Sequence, residues 1–109
     1  MDLGAFLPPG GSYSVKILGK DAAEACRGRV EEHRGRPFWT AESRQPAGRV
    51  LNLTVEMAGF SLAGDGSLAP AGPAARAYVV VIGQVKSCRF IPSWKVYALR
   101  LKLLGRLWP

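Results

Sequence analysis

Histidine is nearly absent from this chain of 109 residues, where His33 stands alone. A His-based metal cluster is therefore excluded, and a Ser-His-Asp arrangement has one candidate base with no G-x-S-x-G nucleophile elbow to serve. Cysteine is scarce too. Cys26 and Cys88 allow at most one disulfide and make no disulfide framework. No G-x-G-x-x-G is present. Gly59 and Gly64 have the first spacing of a phosphate loop, but Asp65 stands where that loop needs Lys, and a carboxylate there repels phosphate. Glu31 and Glu32 are sequence neighbours, and on a helix they point apart rather than forming an acid–base pair. The expectation is a non-enzymatic chain with no catalytic, cofactor-binding or metal-ligating residues and no cofactor.

Long apolar runs are missing as well. The densest, Ala77 to Val85, falls far short of the ~20 residues that span a bilayer. The start, Met1 to Pro9, lacks a basic n-region and breaks at Pro8 and Pro9, which makes it a poor signal peptide. The expected location is intracellular (cytoplasm or nucleus, not secreted), with reduced thiols.

What is present is unusual in its balance. There are 14 Ala, 13 Gly, 10 Arg and 8 Pro against 3 Ile, 2 Thr and 1 Asn. All four abundant types use GC-rich codons, so a recently arisen open reading frame with no defined activity is one reading. The other is a small basic binding or interaction protein. Hydrophobic residues make up 48% of the chain, enough to fold one ordinary domain. The net charge of +7 favours an anionic partner, nucleic acid or an acidic protein surface.

Periodicity along the chain leads to an α+β expectation. Residues 1–12 read as a flexible leader and 13–109 as one small domain. Tyr13, Val15 and Ile17 alternate as a short strand. Asp21 and Glu24 have capping-box spacing, and Ala22, Cys26, Val30 and His33 form a stripe, so a helix is expected over 21–34. Residues 35–49 read as irregular. Leu51, Leu53, Val55 and Met57 alternate with polar residues as a half-buried strand. A disordered Gly/Ala/Pro loop is expected over 60–76, then a buried strand over 77–85. From Trp94 on, Leu99, Leu101 and Leu103 alternate with Arg100 and Lys102, as in a strand running to about Leu103. The expected fold is one helix with a mainly antiparallel sheet of about four strands.

Two segments carry candidate binding chemistry. Arg34-Gly35-Arg36-Pro37, with Arg27-Gly28-Arg29 upstream, sets two arginines around a glycine that permits close approach and a proline that holds the chain extended. The tetrapeptide resembles the core of an AT-hook, the short element of chromatin-associated proteins that lies in the minor groove of A·T-rich DNA. That resemblance implies nucleic-acid contacts at Arg27, Arg29, Arg34, Gly35, Arg36 and Pro37. Glu31, Glu32 and His33 precede the core, and only one copy is present. The second segment is the basic amphipathic stretch 94–108, whose residues suit an anionic membrane surface or a partner's groove if helical.

Overall fold

The computed structural model describes residues 11–19, 25–33, 36–64 and 68–107. Every element among them is a strand: β1 (Ser12–Gly19), β2 (Ala25–His33), β3 (Arg36–Ala41), β4 (Val50–Ala58), β5 (Phe60–Leu62), β6 (Leu68–Pro70), β7 (Arg76–Ile91) and β8 (Val96–Leu107). Six of these close a barrel in the order β1-β2-β3-β8-β7-β4, and β5 pairs with β6 apart from it. All pairings are antiparallel. Strands β1 to β3 form a meander. The chain then crosses to lay β4 beside β1, a Greek-key order.

This all-β barrel overturns the α+β expectation. The helix read over 21–34 is, from Ala25 to His33, strand β2; residues 21–24 lie outside the described residues. The error has a physical source. Cys26 and Val30 are four apart, a spacing that shares one face in both a helix and a strand. The deciding residues are those between: Arg27 and Arg29 are exposed while Val30 is fully buried, a period of two. Gly28 is further evidence against a helix. A Cβ there meets the Thr40 carbonyl oxygen inside contact distance and Ile17 Cδ1 at 2.8 Å, because the β3 backbone and the Ile17 side chain both crowd that position.

Three other boundaries shift. The 35–49 segment contains β3, and the barrel continues β7 to Ile91 rather than stopping at Val85. The 60–76 segment is no structureless loop, since Phe60, Leu62 and Leu68 bring β5 and β6 against the core, where Phe60 meets Tyr13 edge-on at 6.5 Å. Residues 65–67 of that segment lie outside the described residues. Of the expected leader, residues 1–10 also lie outside them, and Ser12 already opens β1.

The barrel interior is a packed core. Val15, Ile17, Val30, Trp39, Leu51, Leu53, Val55, Met57, Val79, Val81, Val85 and Leu99 fill it from alternate positions of the six strands. The Glu42–Arg49 crossover closes one end. Gln45 is buried there and donates to Cys26 Sγ and to the Ser43 carbonyl, while Gly48 N–H donates to the Val85 carbonyl at 2.7 Å.

Candidate functional site

Four of the six barrel strands, β1, β3, β7 and β8, carry no acid, and the last three are consecutive neighbours in the barrel. On the outer face of these three stand Arg36, Lys86, Arg89, Arg100 and Lys102, all exposed. The reason they point outward is the strand period. Trp39 and Leu99 are paired and buried, so Arg36, Phe38, Arg100 and Lys102, at even steps from Thr40 and Ala98, face away from the core. In β7 an extra residue at Lys86 shifts the phase, because Val85 pairs with Leu101 and Ser87 with Arg100. That bulge turns both Lys86 and Ser87 outward and re-aims Arg89 beside Ala98.

A cleft lies where β3 meets β8. The two strands share only three residue pairs, Trp39 with Leu99, Thr40 with Ala98 and Ala41 with Tyr97. Pro37 explains the short seam. The Glu42 N–H donates to the Arg27 carbonyl, which makes 29/40 and 31/38 hydrogen-bonded pairs in the alternating ladder. At the intervening 32/37 position the Pro37 nitrogen therefore points toward β8, and it has no hydrogen to donate. Beyond the seam a cleft of about 620 Å³ opens, with Pro37, Leu99 and Leu101 in its walls and Arg36, Arg89 and Arg100 among its lining. A second depression of about 480 Å³ shares Arg36, Pro37 and Phe38 with it and extends to Trp94.

Trp94 sits in the turn of residues 92–95 between β7 and β8, where its own N–H and that of Lys95 both donate to the Ile91 carbonyl. Lys95 takes a left-handed conformation, φ 56°, to close that turn. The indole stands edge-to-face with Phe38, yet the residue is 60% exposed. An exposed indole against a half-buried phenyl ring, among arginines, presents both a stacking face and positive charge.

The opposite face, over β2, β1 and β4, is mixed in sign. A groove of about 820 Å³ there includes Lys16, Arg27 and Arg29 but also Glu42 and Glu56. Glu56 pairs with Arg76 at 3.1 Å, and the Arg29 guanidinium is engaged by Ser12 Oγ at 2.7 Å, which in turn donates to Glu31. Lys16 and Arg27 are directly opposite across the β1–β2 ladder, an arrangement that repels.

The structure thus splits the sequence-derived set. Arg27 and Arg29 are exposed on β2 beside the mixed-sign groove; Arg36 and Pro37 belong to β3 and line the cleft; Arg34 and Gly35 lie outside the described residues. Arg36 and Pro37 are paired to β2 within a sheet, opposite His33 and Glu32, and are not part of a free extended segment. In the 94–108 stretch, β8 takes the place of an amphipathic helix up to Leu107, with Leu99 buried and Leu101 and Leu103 packed on the core.

Sequence reading missed Phe38, Lys86 and Arg89, and placed Trp94 only as the first residue of the basic 94–108 stretch, although a signal exists. Residues 1–65 hold eight basic and eight acidic residues, whereas residues 66–109 hold seven basic residues and no acid, so the entire excess charge lies in the last two-fifths of the chain. Among the described residues no group of three His, Cys, Asp or Glu is placed to hold a metal ion, and no helix is long and apolar enough to cross a membrane. Cys26 and Cys88 are free thiols, each half-buried against the core. In comparison with known proteins, no family model, no curated protein and no solved structure matches this chain.

Proposed function

We propose that this protein is a non-enzymatic nucleic-acid-binding protein whose contact surface is the outer face of β3, β8 and β7. The observation that carries the reading is the group of five exposed cations, Arg36, Lys86, Arg89, Arg100 and Lys102, on three strands that hold no acid of their own. A sixth, Arg76 at the start of β7, is paired with Glu56 of β4. Repulsion among five exposed cations is tolerated at low cost in water, and it is offset when a polyanion docks and its counterions are released. Arg36 and Pro37 remain part of the surface. Arg27 and Arg29 do not, because Glu31, Glu42 and Glu56 share their side of the barrel. The same chemistry would accept an acidic protein surface, which lacks the regular phosphate spacing.

The test is fluorescence anisotropy of a labelled mixed-sequence oligonucleotide titrated with the protein at increasing salt. With two to four phosphates engaged, log K is expected to fall with log[salt] at a slope of about −1.5 to −3.5. Arg89→Ala and Arg100→Ala are each expected to reduce that slope by about 1 and to weaken binding regardless of sequence. Absence of binding at low salt, or binding indifferent to salt, overturns the proposal.

A further inference from the structure

Resting on that reading, we infer that the preferred ligand is single-stranded nucleic acid, with one base stacked at the Trp94–Phe38 pair and its flanking phosphates on Arg36, Arg89 and Arg100. Three observations converge. The cleft at the β3–β8 seam has apolar wall residues, Pro37, Leu99 and Leu101, and cations in its lining, which matches a planar base carried on an anionic backbone. At about 620 Å³ it falls within the range of about 300–1,000 Å³ typical of small-ligand sites. Trp94 lines the adjoining depression of about 480 Å³, which shares Arg36, Pro37 and Phe38 with the cleft. It meets Phe38 edge-to-face at 6.2 Å, on a turn that accepts a left-handed Lys95, while staying 60% exposed. Trp94 is not part of the buried core, so core packing does not account for an exposed indole on a strained turn.

A duplex cannot use this arrangement. Its bases are stacked on one another, so a duplex reaches the cations through its phosphates and leaves the aromatic pair idle. An unstacked base adds the stacking contact, which is sequence-tolerant because every base has a π-face. Single-strand preference therefore depends on Trp94, and general polyanion affinity depends on the arginines.

The experiment compares labelled oligothymidylate, single-stranded and annealed to oligoadenylate, by anisotropy at one salt concentration with the wild-type chain, Trp94→Ala, Trp94→Phe and the double variant Arg89→Ala/Arg100→Ala. Trp94 lies on the surface, so its variants keep the fold, which a circular-dichroism melt verifies. The expected result is single-strand binding roughly ten- to a hundredfold tighter than duplex binding, lost in Trp94→Ala, largely retained in Trp94→Phe, and with duplex affinity unchanged in both. The double arginine variant weakens both ligands. Equal affinity for the two forms, or an unaffected Trp94→Ala, overturns the single-strand inference and leaves the nucleic-acid reading standing. No binding of either form overturns both.

Discussion

The indole of Trp94, carried on the turn between β7 and β8, meets the ring of Phe38 on β3 edge-on, with centroids 6.2 Å apart and planes at 88°. Edge-to-face geometry of this kind is favoured by the ring quadrupoles and contributes about 0.5–1.5 kcal/mol beyond area burial. It favours one orientation of an otherwise exposed side chain. The turn beneath it bears a cost in return, because a lysine occupies a backbone conformation that L-residues avoid.

Replacing that lysine isolates the cost. Lys95→Gly relieves the left-handed conformation, and the variant is expected to be about 1 kcal/mol more stable by denaturant unfolding. An unchanged or lower midpoint would show that the Lys95 side chain contributes packing that outweighs the strain.

Pro37 limits the β3–β8 seam by lacking an N–H where the ladder points to β8. Pro37→Val restores that donor. The expected outcome of amide hydrogen exchange is one additional protected amide at position 37 and slower exchange in β8 just beyond Leu99, with weaker nucleic-acid binding as the cleft narrows. Fast exchange of the new amide would place the cause of the short seam elsewhere.

Gly28 is needed for the close approach of β2 to β3, and Leu53 fills the barrel centre with no exposed surface. Gly28→Ala is expected to cost about 1–3 kcal/mol through overpacking. Leu53→Ala is expected to cost about 2–5 kcal/mol through the cavity it leaves. By contrast Glu56→Gln, which removes a surface ion pair with Arg76, should change stability by less than about 1 kcal/mol. Urea unfolding of the three variants checks the ranking.

Burial raises the Tyr13 phenol above its ordinary pKa of 10.0. The folded chain therefore holds that proton more tightly than the unfolded chain does. The stabilisation this gives is complete below the unfolded value and is lost as the pH rises through the folded one. Wild type is expected to lose stability above about pH 10 more steeply than Tyr13→Phe, with the two curves parallel at neutral pH. Identical slopes in the alkaline range would contradict the assignment.

Much of the barrel is legible in the sequence where polar and apolar residues alternate strictly. Leu51 to Met57 reads as a strand and is one, because only a period of two puts all four of its apolar residues on one face. β2 is not legible in the same way. Its buried face offers Cys26, Gly28 and Val30, too small and too few to outweigh a helical stripe at spacing four. β3 is hidden by Pro37, which on a central strand argues against pairing and here marks an open seam. The cationic face is legible only in part. Arg100 and Lys102 stand out by alternation, and the acid-free stretch after Asp65 flags the surplus charge. The meeting of Phe38 with Trp94 depends on strand order and on the β7 bulge, neither of which local pattern determines.

The most direct test of the central claim is an amide nitrogen–proton NMR titration of the full chain with an unlabelled oligonucleotide. Nucleic-acid binding on the outer face of β3, β8 and β7 is expected to move the resonances of Arg36, Phe38, Arg89, Trp94, Arg100 and Lys102 and to leave those of Ser14, Lys16 and Arg27 in place. Shifts confined to β1 and β2, around Lys16, Arg27 and Arg29, would contradict the account and return the contact surface to the mixed-sign groove.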